Sequence, residues 1–224
     1  MKSMRIKPIN MKLIRPTTLI SFKNTNTLGN SKKSRVLPDA GNQPDPTPEK
    51  IRNYKENKDQ WIPQIVTSSL RKHNKTDVLH GGKSLNMLLP SHRDSDDWDM
   101  YTTEDKKRAL ELEAAIDKKA GCDIAETVYV PLQKSILMGP AGDDDEFISD
   151  DLYRVQTPIV KKDADIDIME RPPGLPTVMK NGIRHEALSE AYKKAKRRVY
   201  KQPLQARKAV EDMKRIEEYR RRTR

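Results

Sequence analysis

Residues 80–101 read His80-Gly81-Gly82-Lys83-Ser84-Leu85-Asn86-Met87-Leu88-Leu89-Pro90-Ser91-His92-Arg93-Asp94-Ser95-Asp96-Asp97-Trp98-Asp99-Met100-Tyr101. Paired glycines open a short apolar run that predicts a helix over 84–89, ended by Pro90. Glycines at a helix start let backbone N–H groups approach an anion without an intervening Cβ, and the helix N-terminus favours negative charge. The stretch ends with Asp97 and Asp99 flanking Trp98, and 98–101 reads as a strand with Trp98 and Met100 on the face opposite the aspartates. Residues two apart on a strand share a face and sit roughly 6–7 Å from one another. Two carboxylates so placed can hold divalent cations, which in phosphoryl-transfer sites stand about 3.5–4 Å apart. Each half alone is commonplace, since Gly-Gly before a helix is most often a turn and Asp-x-Asp a solvated edge. A phosphate cradle followed at short range by a metal-binding strand outlines a nucleotide site.

Elsewhere in the chain three segments bear on this outline. From 159 to 168, Asp163, Asp165 and Asp167 alternate with Ala164, Ile166 and Ile168, which predicts a half-buried strand with three carboxylates on one face. Like charges side by side cost stability unless cations or basic groups neutralise them; a polar strand face beside basic side chains is the alternative reading. Residues 177–185 predict a hairpin closed by Asn181-Gly182 in a type I′ turn. Two basic helices are expected at 186–199 and 204–222, separated by Pro203.

The pattern Gly81-Gly82-Lys83-Ser84-Leu85 followed by Arg93-x-Ser95-x-Asp97-x-Asp99 resembles the polymerase-β-like nucleotidyltransferase superfamily, above all its minimal nucleotidyltransferases and abortive-infection toxin type. The likeness covers residues 78–220. It implies a mixed α/β (α+β) fold, a small sheet flanked by helices, and a metal-dependent transfer of a nucleotide from an NTP to a hydroxyl acceptor. Gly81, Gly82 and Ser84 would cradle phosphates. Asp97 and Asp99 would bind Mg²⁺ or Mn²⁺, and Asp165 would be the third metal ligand and the catalytic base, with Asp167 in reserve. Lys208, followed by Asp212, is similar to the family's lysine that reaches the triphosphate. Two departures stand out: three residues separate Lys208 from Asp212 where the family has them adjacent, and Lys83 stands where Thr or Ser is commoner.

Composition limits the rest. The 224 residues are 34% hydrophobic and 34% charged, enough for one modest core, and fifteen prolines imply long stretches outside it. No apolar run approaches the roughly 20 residues of a membrane span, so no membrane partner is expected. Cys122 is the only cysteine, which excludes an intramolecular disulfide; after Gly121 at a helix end it reads as a small buried residue. The four histidines show no zinc-ligand spacing. An acidic run at 143–146 reads as a solvated loop rather than a second metal site.

Charge is unevenly spread. Of the net +11, residues 1–38 hold about +9 and residues 180–224 about +10, leaving the middle near −8. Basic ends around an acidic centre point to contact with phosphate-bearing polymers at both ends; the resemblance implies that the polymer held by the tail is RNA, plausibly tRNA, rather than DNA. The expected organisation is an extended basic arm and linker (1–60), a nucleotidyltransferase-like core (61–179) and a basic helical tail completing the domain (180–224). One or two short helices are expected across 49–73, with Trp61 docking the arm, and the clearest helix spans 104–120 with Thr103 as its cap. The arm, basic and free of acids over residues 1–38, suits packing along a larger protein or nucleoprotein assembly, with a presequence at 1–22 second. The locations expected are therefore the cytoplasm or a virion, then the mitochondrial matrix. An opposing account has no catalysis: the same fold serves as a basic structural or packaged component of a virion or ribosome.

Overall fold

The protein's structure, a computed structural model, describes residues 34–38, 43–93, 95, 97–131, 151–159, 166–201 and 206–223. The arm at 1–33, the acidic run at 143–146, Asp163, Asp165 and Pro203 lie outside them. Among the described residues a mixed sheet carries eight strands in the order β1-β4-β5-β6-β3-β2-β8-β7. The strands are β1 (Arg35–Val36), β2 (Val78–His80), β3 (Trp98–Thr102), β4 (Glu126–Val130), β5 (Leu152–Gln156), β6 (Ile166–Glu170), β7 (Thr177–Lys180) and β8 (Ile183–Glu186). The helices are α1 (Pro48–Lys72), α2 (Gly81–Leu88), α3 (Asp105–Ala120), α4 (Leu188–Lys201) and α5 (Ala206–Arg222). None is long and apolar enough to cross a membrane.

At the centre, β3 runs parallel to β6 and antiparallel to β2. Period-two alternation sorts the side chains of these strands onto two faces. Leu79, Trp98, Met100, Ile166 and Ile168 enter the main core with side chains from α1 and α3, as the alternation around Asp99 predicts. A second, smaller cluster joins Leu85, Leu88 and Leu89 of the α2 segment to Ile216 of α5 and Leu188 of α4. The hairpin forms as expected, with Asn181 and Gly182 at φ of 51° and 77°, the left-handed pair that a type I′ turn requires.

Residues 49–73 hold one helix where one or two short ones are expected. Thr47 caps α1, its Oγ1 accepting from the Lys50 N–H at 3.4 Å, and Pro48 occupies the first turn, where its missing N–H costs nothing. Tyr54, Ile62, Val66 and Leu70, spaced by eight, four and four, lie on one face and are all buried. Burial contributes about 1.5–3 kcal/mol per large apolar side chain. Together these exceed the roughly 3 kcal/mol that an interior proline, here Pro63, costs. Residues 48–60, grouped by sequence with the arm and linker, are thus the first half of a core helix. Trp61 packs edge-on against Tyr54 at 6.3 Å.

Helix α3 begins at Asp105 rather than at 104, and Glu104, not Thr103, takes the cap position without a side-chain bond to the first-turn N–H groups. It ends as read from sequence: Gly121 adopts φ 70°, and Lys50 Nζ of α1 donates to the Gly121 carbonyl at 2.6 Å, a cation at a helix C-terminus. Cys122, next in the chain, is fully buried, and burial pushes its thiol up.

The apolar stripe of α3 carries an arginine that periodicity does not single out. Arg108 is fully buried, and its Nε lies 2.7 Å from Asp77 Oδ2, itself fully buried just before β2. Thr102 Oγ1 and Thr76 Oγ1 donate to Asp77 Oδ1 at 2.7 and 2.9 Å. Removing one partner of a buried pair strands the other, at about 3–5 kcal/mol. Asp77→Ala is accordingly expected to lower unfolding free energy by about 3–5 kcal/mol in urea titration, whereas a surface change such as Lys118→Ala leaves it within about 0.5 kcal/mol.

Asp117 ties the end of α3 to the start of β4, its Oδ1 accepting from the Ile124 and Ala125 N–H groups at 2.9 and 2.8 Å. Burial pushes its carboxyl up to about 6 against those two hydrogen bonds. A raised folded value means that the contribution is fully present below about pH 4 and is lost as pH climbs through about 6. Asp117→Asn keeps the acceptor and removes the proton. Wild-type stability measured against this variant is expected to fall by on the order of 2 kcal/mol between pH 4 and 7; a flat difference would contradict the assignment.

Candidate active site

Strand β2 passes directly into α2, and Gly81 makes the transition at φ 67°, a conformation open to glycine. Space demands glycine there as well. A Cβ on Gly81 would lie 2.1 Å from Asp99 Oδ2. One on Gly82 would lie 2.3 Å from Ser95 Oγ and 2.9 Å from Arg93 Nη2. The first turn of α2 is therefore bare backbone beneath a carboxylate, a hydroxyl and a guanidinium.

Register brings the other groups in. His80 stands opposite Asp99, Asp99 opposite Asp167, and Asp167 opposite Arg154. Directly opposed residues share a face, so these four form one polar row across four strands. Arg154 holds both oxygens of Asp167, Nε to Oδ1 at 2.8 Å and Nη2 to Oδ2 at 3.0 Å. Burial, and then the Asp167 charge, push the Asp99 carboxyl up to about 6, while Arg198 and Lys194 act in the other direction.

Above the row lies a cleft of about 410 Å³. The strand ends contribute His80, Asp97, Asp99 and Asp167; α2 and its following loop contribute Gly81, Gly82, Arg93 and Ser95; α4 and α5 contribute Lys194, Arg198, Lys208 and Asp212. His80 is 5% exposed and stacks on Tyr101 with ring centroids 3.9 Å apart. Burial and the positive charges of Lys194 and Arg198 hold its imidazole well below the usual range, so it is neutral at pH 7. Its Nε2 has no hydrogen-bond partner among the described residues. Lys194 donates to the Tyr101 hydroxyl at 2.8 Å and pairs with Glu186.

Of the residues singled out by sequence, Gly81, Gly82, Asp97, Asp99 and Lys208 line this cleft together. Asp165 lies outside the described residues; Asp167, its reserve, is on the floor. Ser84 is not among the residues that line the cleft: it is 2% exposed, and its Oγ is hydrogen-bonded to His185 Nδ1 at 3.1 Å, because the fourth residue of α2 faces inward. Ser95, two residues past Arg93, is the hydroxyl beside the glycines. His80, Lys194, Arg198 and Arg154 were not legible as site residues; only the charge of the tail hinted at two of them.

Asp97 and Asp99 are hard oxygen donors suited to Mg²⁺ or Mn²⁺, and a cation beside Asp99 would relieve the repulsion from Asp167. Among the described residues no group of three His, Cys, Asp or Glu side chains is gathered closely enough to hold a metal ion. The donors present fit a metal shared with a ligand's phosphate oxygens better than a cage built from protein alone.

No protein-family model matches the chain, and no curated protein matches it. Among solved structures, the Megavirus polyadenylate synthase is similar over 69% of this chain at 17% identity and a TM-score of 0.50. The match spans only 30% of that longer protein. A Helicobacter pylori protein, JHP933, matches over 66% of this chain and 56% of its own at 15% identity, with a TM-score of 0.34. The fold is nucleotidyltransferase-like, as the motifs lead one to expect. Because Gly81 combines a positive φ with contact to Asp99, Gly81→Ala is expected to cost about 1–3 kcal/mol in thermal or urea unfolding; a cost below about 0.5 kcal/mol would show that the cradle is not tightly built.

Proposed function

We propose that this protein is a metal-dependent nucleotidyltransferase that moves a nucleotide from an NTP to a hydroxyl acceptor, in the manner of the minimal nucleotidyltransferase and toxin type. The observation that carries the reading is Asp99 on a cleft floor, packed against the bare first turn of α2 and set beside Asp167. In the reaction the acceptor oxygen bonds to the α-phosphorus, the bond to the β-phosphate breaks, and pyrophosphate leaves. Bound Mg²⁺ or Mn²⁺, held by Asp97, Asp99 and Asp165, would supply charge neutralisation at the phosphates and acidify the attacking hydroxyl. The backbone N–H groups at Gly81 and Gly82 donate to phosphate oxygens, and Lys208 supplies a cation at the rim. Asp165 accepts the proton of the acceptor hydroxyl; Asp167, held by Arg154, is the alternative.

RNA is the acceptor that the surface favours. Lys193, Lys196, Arg197 and Arg198 of α4 and Arg207, Lys208 and Lys214 of α5 are exposed, and Arg198 and Lys208 also line the cleft. A cationic surface continuous with the site suits a polyanion whose end enters it. The residues ahead of α1 would attach the protein to a larger assembly.

A second reading has one observation in its favour. Arg154 occupies both oxygens of Asp167, which leaves Asp97 and Asp99 as the unclamped carboxylates of the described floor. On that reading the fold is retained as a nucleic-acid-binding component of a nucleoprotein assembly, without catalysis.

Thermal unfolding with Mg²⁺ or Mn²⁺ and each NTP separates the two. A ligand at about 100 times its dissociation constant stabilises the fold by roughly 2.7 kcal/mol. The expected result is a shift that needs metal and nucleotide together and vanishes in Asp97→Ala/Asp99→Ala, accompanied by transfer of labelled α-phosphate to RNA. Absence of a shift with all four nucleotides would overturn the enzymatic reading.

A further inference from the structure

Arg93 is fixed at both its main chain and its side chain. The Arg93 N–H donates to Asn86 Oδ1 at 3.0 Å, and Asn86 Nδ2 donates back to the Arg93 carbonyl at 2.6 Å. These two bonds close the α2-to-β3 loop on α2 itself. The guanidinium reaches α5, where Nε donates to Asp212 Oδ1 at 3.0 Å and Nη2 to Oδ2 at 3.3 Å. Arg215, one turn further along α5, donates to Asp212 Oδ1 at 3.3 Å, to Asn86 Oδ1 at 2.8 Å and to the Ser91 carbonyl. Asp212 and Arg215 are 8% and 6% exposed.

This network holds a guanidinium edge over the phosphate cradle. Arg93 Nη2 is one of three nearest atoms to the place of a Cβ on Gly82, and Arg93 lines the cleft with Gly81, Ser95 and Lys208. Both α2 and α5 must be in place to hold it there. His80, 5% exposed, lines the same cleft. A guanidinium keeps its positive charge while one edge is held by a carboxylate, and pre-orientation in this way removes the entropy of ordering a long side chain near a phosphate.

We propose that Arg93 is a triphosphate-binding side chain of this cleft, and that Asp212 and Asn86 are the positioning residues that hold it over the first turn of α2. The inference rests on the nucleotide-site reading and adds to it the residue that grips the donor's phosphates. It also makes α5 part of the donor site, so that phosphate binding and docking of α5 support each other.

The test is direct binding of an NTP with Mg²⁺ to full-length protein by titration calorimetry, in parallel with the nucleoside monophosphate. Arg93→Gln is expected to weaken triphosphate binding about ten- to hundredfold and monophosphate binding by less than about threefold. Asp212→Asn keeps the arginine but removes the charge that orients it, and is expected to lose about three- to tenfold for the triphosphate, with Asp212→Glu recovering part of the loss. Should Arg93→Gln fail to fold by circular dichroism, Arg93→Lys and Asp212→Asn carry the comparison. Wild-type binding that is unchanged in Arg93→Lys and Asp212→Asn would overturn the role of Arg93 and leave the nucleotide site standing. Wild type that binds no NTP would overturn the nucleotide-site reading, and this assignment with it.

Discussion

Two carboxylates, Asp99 and Asp167, stand on adjacent parallel strands in direct register, and much of the structure is arranged around holding them there. Burial and then the neighbouring Asp167 charge push the Asp99 carboxyl up to about 6, so an ionised pair at the foot of the cleft is unfavourable. Three kinds of support offset it. Arg154 clamps Asp167 from the next strand, Lys194 and Arg198 approach Asp99 from α4, and the glycine start of α2 lets the carboxylate sit against backbone. Such a floor is under electrostatic tension that a divalent cation bound to phosphate would relieve.

Behind the floor, the opposite face of the same strands is an ordinary apolar core. Met100 and Ile168 are fully buried there, against Leu112 and Ile116 of α3 and Val66 and Leu70 of α1. The buried Arg108–Asp77 pair links α3 to the residue that leads into β2, and so to the entry of the Gly81 turn. Rigidity on the core side fixes the backbone register from which Asp99, Asp167 and His80 project. A site built on strands held in this way is more accurate than one carried on loops alone.

The C-terminal helices belong to the site as much as the strands do. Helix α4 places Lys194 and Arg198 over the row of carboxylates, and α5 places Lys208 and Asp212 over the α2 turn. Ile216 and Leu188 then seat both helices on Leu85, Leu88 and Leu89. High positive charge outside the cleft and a mixed-charge interior thus come from the same two helices, one face each.

The sequence by itself determined the local parts. Gly81-Gly82 before an apolar run, the alternation around Asp99 and the Asn181-Gly182 hairpin are all settled by residues a few positions apart, where backbone sterics and periodicity act. The same locality explains what it missed. Whether α1 survives Pro63 depends on burial against strands far along the chain. Ser84 is spent on His185, about a hundred residues on, and only packing turns Ser95 toward the cleft in its place. Arg154 beside Asp167, Asp212 beside Arg93 and the neutral His80 under Lys194 are pairings across strands and helices, with no spacing rule to announce them. Tertiary structure decided these, because a charge acquires its partner and its proton only when the chain has folded around it.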